Sequence, residues 1–461
     1  MLRGVVILAG LAVLALGAAW LADHPGRVVL DWQGWRIETS IGVVVLGVAL
    51  LNLTFLIIFR LWSFIAATPM RWRRARDARR RERGQNALAR GLLAVATGDG
   101  AAAAKEARIV SENLGHRVLT LLLEGEAARV SGDHATARRL YGEMLETPET
   151  RLLGYRGLAL EAYRAGDLNA ALDHVSQAAR AQPRASWALE LLFDVQLRTA
   201  RWAEAEETLD RLLRARLVTP EIGKRRRALL RLEQSRAAET NGLEDAALDH
   251  ARAAERLDET LLAAVLRTAD LLARRGRTQR AARVLERAWE RAPHRLIGEA
   301  YAGLYADDTP LNRVIKIEKL RQLQPDHAET HLILGEAALK AGLWGEARTH
   351  LKAAAEGAPS RRVFRALAEL AEMGDNDGAA VRQYLARAAD APADPVWSCT
   401  NCGKEVREVT AVCPDCGAFD TIRFGPPAPH HAPRLAGSQV LDAPALPAAG
   451  SAPAAGATGA A

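Results

Sequence analysis

The sequence predicts an all-α protein in three parts: two N-terminal transmembrane helices, an α-solenoid of helical hairpins, and a small four-cysteine module. Three observations carry that expectation. Two long apolar runs lie before residue 60, a helical pattern recurs every 34 residues from residue 85, and all four cysteines fall between residues 399 and 416. Composition agrees, since 49% of the 461 residues are hydrophobic and 25% are charged, which excludes a wholly disordered or collagen-like chain. Four cysteines in this length also exclude a disulfide-rich secreted scaffold.

The N-terminal region, 1–84, reads as a membrane hairpin. Residues 5–22 carry no charge, and residues 41–59 are interrupted only by Asn52 and Thr54. A helix needs roughly 20 apolar residues to cross a bilayer core, so both runs are expected to span. A cleaved signal peptide is the alternative for the first, but Trp20-Leu21-Ala22 is a poor cleavage site. Trp20, Trp32, Trp35, Trp62 and Trp72 cluster near the expected boundaries, as an interfacial aromatic belt does. The basic stretch 60–84 holds nine arginines against Asp77 and Glu82, which equals the whole net charge of +7. Nucleic acid would use such a cluster to neutralise phosphates. Its place directly after a span favours a topology anchor touching anionic lipid headgroups, at about 1 kcal/mol per arginine, with no nucleic-acid partner. The positive-inside rule then puts both termini and the helical body in the cytoplasm and the loop 23–40 in the periplasm. In that loop, Val28-Val29-Leu30 and Trp35-Arg36-Ile37 flank Gln33-Gly34 as the arms of a small hairpin.

From residue 85 to 392 the chain repeats. Gly98-Asp99, Gly132-Asp133, Gly166-Asp167 and Ala200-Arg201 stand 34 residues apart; the register resumes at Gly242 and Gly276, and again near Gly342 and Gly374. The interval from 200 to 242 exceeds one period by eight residues and contains Pro220 to Arg227, expected as a loop or a helix extension. Five residues after the turns come Ala103, Ala137, Ala171, Ala205, Ala247, Ala281 and Ala347; twelve after come Ala178, Ala254, Ala288 and Ala354. Pro183, Pro293 and Pro359 close the units, and Gly91, Gly125 and Gly335 precede the turns by seven. Two antiparallel helices packed closely need Gly or Ala where they cross, and Pro ends the second helix. These positions resemble the tetratricopeptide (TPR) family at its Gly, Ala, Ala and Pro sites. The clearest copies are 152–183, 262–293 and 328–359, the unit at 295–325 is degenerate, and about nine units are expected. The resemblance implies a solenoid whose concave face binds extended peptides or partner proteins. Arg156, Asp270 and Glu336 fall at first-helix positions that would face that groove, although solvated surface charge is the favoured reading for each taken singly.

The module at 396–425 reads Cys399-Thr400-Asn401-Cys402-Gly403 and Cys413-Pro414-Asp415-Cys416-Gly417. Two residues between thiolates let one turn present both sulfurs to a single ion, and Gly gives the turn its backbone freedom. Two such knuckles supply the four sulfurs of a closed, structural tetrahedral zinc site, with Cys399, Cys402, Cys413 and Cys416 as ligands. Iron in a rubredoxin-like pair fits the same spacing and stays open. Redox pairs would want a thioredoxin-like βαβ context, and disulfides do not suit a reducing cytoplasm. Cys413-Pro414 also looks like the dipeptide of haem-responsive motifs, although haem ligation there would break the four-sulfur set. Trp397, Phe419, Ile422 and Phe424 are expected to form a small core or to dock the knuckles on the last repeat. The Pro/Ala/Gly-rich tail, 426–461, has no core-forming pattern and is expected to be disordered. His327 and His331, at i and i+4, are expected as surface or packing residues. No phosphate-binding glycine loop and no nucleophile or acid–base constellation appears, so no enzyme activity is expected.

The two apolar runs, the loop Gly26-Arg27-Val28-Val29-Leu30-Asp31-Trp32-Gln33-Gly34-Trp35-Arg36-Ile37-Glu38-Thr39-Ser40, the arginine-rich exit and the repeats together resemble the HemY family. The ending around Trp397-Ser398-Cys399 and Cys416-Gly417-Ala418-Phe419-Asp420-Thr421-Ile422-Arg423-Phe424 is similar to the tail of its alphaproteobacterial members. A Trp expected before the third cysteine is absent from 406–412. The resemblance implies a multi-pass protein of the bacterial inner membrane, a scaffold for late haem (protohaem, porphyrin) biosynthesis that gathers pathway enzymes or handles their product. An unrelated flavin-dependent protoporphyrinogen oxidase shares the family's name; this chain lacks a dinucleotide fingerprint, so that activity is not carried over. The knuckle spacing also resembles the rubredoxin-like tail of LapB, a TPR membrane protein with one span. That likeness implies the alternative function, an adaptor presenting an enzyme of lipopolysaccharide synthesis to a membrane protease.

Overall fold

A computed structural model describes residues 26–427 apart from Gln33, with isolated positions between 12 and 23. Most of the expected first span and nearly all of the tail lie outside the described residues. The chain divides into two compact units, one holding residues up to 94 with 101–123, the other 95–100 with 124 onward.

In the first unit, β1 (Arg27–Trp32) pairs antiparallel with β2 (Trp35–Ser40), Leu30 opposite Ile37. Gly34 at φ +84° makes the tight turn, so the expected hairpin is present. Strand β2 runs directly into α1 (Ile41–Thr97), a helix of 57 residues. Its segment Ile41–Trp62 has a mean hydropathy of 2.7 and buries nothing against the protein. The two polar side chains there are satisfied within the helix: Asn52 donates to the Val48 carbonyl (3.1 Å) and Thr54 to that of Leu50 (2.8 Å). That is what a helix in hydrocarbon requires of its polar groups. Among the described residues this is the one helix long and apolar enough to cross a membrane, so one of the two expected spans has a counterpart. The helix does not stop at the arginine run. It continues unbroken to Thr97 and, with Ala87 fully buried and Arg90 clamped to Glu106 (3.0 and 2.9 Å), pairs with α2 (Gly100–Leu114).

Beyond these the chain is a series of helical hairpins. They are α3 (Arg117–Val130) with α4 (His134–Glu143), α5 (Arg151–Arg164) with α6 (Leu168–Ala181), and α7 (Ser186–Arg198) with α8 (Trp202–Arg214). Next come α9 (Pro220–Thr240) with α10 (Glu244–Leu257), α11 (Leu262–Arg274) with α12 (Thr278–Arg291), and α13 (Arg295–Gly303) with α14 (Pro310–Leu323). The last two are α15 (Ala328–Lys340) with α16 (Trp344–Gly357), and α17 (Arg361–Met373) with α18 (Gly378–Asp390).

The turn chemistry explains the period. Gly98, Gly132, Gly166, Gly242, Gly276 and Gly342 all have φ between +70° and +79°, the left-handed conformation that terminates a helix. At two of these turns the Asp that follows caps the next helix: Asp133 accepts from the Thr136 N–H and Asp167 from that of Ala170, both at 3.0 Å. Ala200 takes the glycine's place at φ +54°. The expected last turn residue needs correction. Gly374 has φ −94°, and the left-handed residue is Asn376, 34 positions after Gly342. All seven alanines five residues past the turns are 0% exposed, which places them at the helix crossings. The eight-residue excess becomes a helix extension. Thr219 caps α9 with Pro220 in its first turn, and the helix runs for 21 residues. The degenerate unit has a first helix of only nine residues.

After α18 the chain forms a three-stranded antiparallel sheet in the order β4-β3-β5, from β3 (Val396–Cys399), β4 (Glu405–Val406) and β5 (Ile422–Gly425). The all-α expectation therefore holds for the body but not for the N-terminal hairpin or this module.

Ala200 holds a conformation that costs an L-residue roughly 1–2 kcal/mol. Replacing Ala200 with Gly is expected to raise the denaturation midpoint by a net of about 0.5–1 kcal/mol, after the extra unfolded-state entropy of Gly. Urea unfolding of the detergent-solubilised chain measures it; a lowered midpoint contradicts the assignment.

Candidate metal centre and the groove around it

The two knuckles are near copies of each other. Gly403 N–H donates to the Cys399 carbonyl (2.8 Å) and Gly417 N–H to that of Cys413 (2.9 Å), with φ +73° and +69° at the glycines. Cys399 N–H in turn donates to the Lys404 carbonyl and Cys413 N–H to that of Ala418, both at 2.9 Å. This geometry swings the paired side chains inward. All four Sγ atoms lie within 4.8 Å of one another, with Cys399–Cys416 at 3.7 Å and Cys402–Cys413 at 3.9 Å. A tetrahedron with metal–sulfur bonds of about 2.3 Å has edges of about 3.8 Å. The four cysteines are thus clustered at metal-binding distance, compatible with zinc or iron. Cys399, Cys402 and Cys413 are buried and Cys416 partly so.

The surroundings prepare the sulfurs unequally. Burial pushes the Cys402 thiol up to about 12 and also raises Cys413. At Cys399 burial acts the same way but is outweighed by the Thr421 hydroxyl, 3.1 Å away, and by the backbone N–H of Asn401 and Cys402, which bring it to about 7. Asn401 also donates through Nδ2 to the Cys416 sulfur (3.4 Å). Such donors stabilise thiolate charge, as outer-shell partners of a metal ligand do.

The module is not docked where the sequence led us to expect. Its apolar side packs on central repeats, against the first helices α7 and α9 and the start of α11, and not on the last repeat. Phe419 meets Phe193 edge-on at 5.5 Å between centroids, beside Leu189 and Leu197 of α7. Val409, Ala411 and Ile422 join Leu229 and Leu232 of α9 and Ala264 of α11 in one buried cluster. Phe424 packs on Trp397 (5.1 Å) and on His294 (4.6 Å) at the cap of α13. Where a Trp was expected within 406–412, these small residues fill the space instead.

Polar contacts hold the same face. Arg225 Nε donates to both carboxylate oxygens of Asp420 (3.1 and 2.9 Å), and its Nη1 donates to Asp258 (3.2 Å). Buried Glu233 accepts the Ala411 N–H at 2.7 Å and is paired with Arg236 (2.7 Å), which also reaches the Val409 carbonyl. The Arg198 guanidinium lies against Gly417, where an added Cβ would stand 2.6 Å from it. Arg225, Glu233, Arg236 and Asp420 escaped the sequence reading. The available signal was the eight-residue excess, which turns out to carry Arg225.

The other candidates resolve individually. Arg156 stacks on the Trp187 ring (5.7 Å), and Asp270 is paired with Arg274. Glu336 accepts two bonds from Arg362, one of 2.6 Å, at the wall of a cavity of about 640 Å³ whose lining also includes Arg295, Lys340, Arg365 and Asp394. His327 caps α15 by accepting from the Glu329 N–H (3.1 Å). His331 pairs instead with His350 of the next helix, Nδ1 to Nδ1 at 2.9 Å, a partner the sequence reading missed.

These features define a class: a tetratricopeptide-repeat protein with a membrane-type helix at one end and a four-thiol knuckle module folded back on its central repeats. More particularly, the chain resembles the HemY family. The model "HemY protein N-terminus" matches residues 26–132, and a tetratricopeptide-repeat model matches 162–224. A curated relative, the probable magnetosome protein Mms48 of Magnetospirillum gryphiswaldense, is 27% identical over 438 residues, covering 92% of this chain and 93% of its own. Among solved structures, Naa15/Naa10 bound to HypK-THB is 17% identical with a TM-score of 0.40, covering 66% of this chain and 45% of that one. MamA from Desulfovibrio magneticus RS-1 is 16% identical with a TM-score of 0.25, covering 36% of this chain and 94% of that one.

Removing the Glu233 carboxylate leaves the buried Ala411 N–H without its acceptor, which costs about 1–3 kcal/mol. Glu233→Ala is expected to speed amide hydrogen exchange across 409–412 by about one to two orders of magnitude. Unchanged exchange there contradicts the docking role of Glu233.

Proposed function

We propose that this protein is a membrane-anchored scaffold of late haem biosynthesis, which organises pathway enzymes or their porphyrin product through its repeats, with no chemistry of its own. The observation that carries the reading is the continuity of α1. One helix runs from the apolar segment Ile41–Trp62 through the arginine run into the first repeat, in the part of the chain that matches the HemY N-terminal model. An array of stacked hairpins offers an extended inner surface for partner proteins. The arginine run sets the body on the cytoplasmic side of an inner membrane, and its membrane-proximal end touches anionic headgroups. A second reading rests on the relative covering nearly the whole chain: the same scaffold serving a magnetosome membrane.

Cys399, Cys402, Cys413 and Cys416 are assigned as ligands of one structural zinc ion, since four sulfurs leave no open position. Zinc there would cross-link the knuckles and fix the sheet between them. Iron is the competing ion.

Deleting the gene is expected to lower cellular haem and to accumulate porphyrin precursors, read by fluorescence of extracts; normal porphyrin levels sink the haem reading. Affinity capture from solubilised membranes separates the two readings by which proteins come down. Metal analysis of the purified chain is expected to find one zinc per wild-type molecule and none in Cys399→Ser. Because protons compete for thiolates, bound metal is expected to be lost as pH falls. Iron in the wild type corrects the ion, and metal retained by Cys399→Ser removes the assignment.

A further inference from the structure

The module packs against the first helices α7, α9 and α11 of successive units, the kind of surface that a repeat array offers to partners. Part of its hold there comes from a short run, beside the Glu233 and Arg236 contacts and the Val409, Ala411 and Ile422 cluster. The half-buried Phe419 ring packs on the apolar cluster of Leu189, Phe193 and Leu197. Both oxygens of the adjacent Asp420 carboxylate accept from Arg225 Nε, at 3.1 and 2.9 Å. An aromatic side chain beside a carboxylate is therefore what this part of the groove recognises.

Phe419-Asp420 is presented by the second knuckle. Asp420 has φ +53°, a conformation few residues other than Gly adopt, and its N–H donates to the Ala411 carbonyl (2.9 Å). Ala418 accepts from Cys413, and Gly417 donates back to Cys413, so the run is braced by the turn that carries two of the four sulfurs. The five residues between α18 and β3 tether the module, keeping its effective concentration at the groove high.

We propose that the metal-loaded module is a built-in occupant that closes the central groove, and that loss of the metal opens α7 and α9 to a partner protein segment bearing an aromatic residue next to a carboxylate. Without the ion the knuckle no longer holds Asp420 in its left-handed turn, and Arg225 Nε and the apolar surface at Phe193 become available together. The inference rests on the metal reading above, and the metal content of the same sample tests that reading separately.

The probe is a fluorescein-labelled peptide of the sequence Gly-Ala-Phe-Asp-Thr-Ile, with binding to the full-length chain in detergent followed by anisotropy. Three proteins are compared: zinc-loaded, zinc-stripped, and zinc-loaded Asp420→Arg, which keeps all four cysteines but repels Arg225. The stripped chain and the Asp420→Arg chain are expected to bind the peptide at least about tenfold more tightly than the loaded wild type, as expected when a tethered competitor is removed. Alanine in place of the peptide's Phe or Asp, or Arg225→Glu in the stripped chain, is expected to abolish binding. Equal binding by loaded wild type and Asp420→Arg, no binding by any of the three, or indifference to Arg225→Glu overturns the proposal. A chain that never holds metal refutes the site itself. A loaded chain that binds the peptide as well as the opened forms refutes only the plug.

Discussion

The close approach of paired helices is the constraint on which the rest of the body depends. At seven turns the fifth residue onward is an alanine with no exposed surface, so each crossing has room for a methyl group and nothing larger. Where one partner is large, the other gives way. Tyr141 of α4 projects between α3 and α5, and a Cβ on Gly125 or Gly157 would stand 3.0 or 2.4 Å from its ring. Its hydroxyl donates to Glu126 at 3.1 Å, so the ring is buried without leaving a polar atom unmet. Close crossings let successive hairpins stack, and stacking aligns the first helices on one face. The cysteine module rests on that face.

Departures from the period lie at the module. The eight-residue excess lengthens α9 at its N-terminus and brings Arg225 to Asp420. The degenerate unit opens with His294, whose ring packs on Phe424. A strict repeat would present the same inner surface in every unit. The two irregular units supply what a single, asymmetric guest needs: a cation at one edge and an aromatic contact at another. Their cost to regularity is offset by burial of Val409, Ala411 and Ile422 against α9 and α11.

Positions fixed by local sterics were legible in the sequence, because they recur at one spacing for one reason. The glycine turns, the crossing alanines and the paired knuckles belong to this group. The Asn376 turn escaped only because a glycine stood two residues earlier. What joins distant segments was not legible. Arg225 and Asp420 are 195 residues apart, and nothing in either neighbourhood names the other. The four aromatic and aliphatic residues flanking the cysteines were expected to form a small core or to dock on the last repeat, but apolar side chains do not say which repeat they prefer. That choice is made by Arg225 and by Glu233, single groups without a pattern. The His331–His350 pair was hidden for the same reason, each partner belonging to a different helix.

The length of α1 narrows what the net charge of +7 can do. On the proposed topology the helix leaves the membrane near Trp62 and stays helical through Arg83, a rise of about 30 Å at 1.5 Å per residue. The field of anionic headgroups fades over about 8 Å at physiological ionic strength. Arg60, at the boundary, stands within that field, whereas Arg76 to Arg83, all exposed, lie roughly 20–30 Å further along the axis. An unbroken helix that continues the span cannot also lie flat to bring those residues back to the surface. Lipid attraction thus belongs to the proximal arginines. The distal ones, Arg76 to Arg83, are exposed and keep their part of the helix in water.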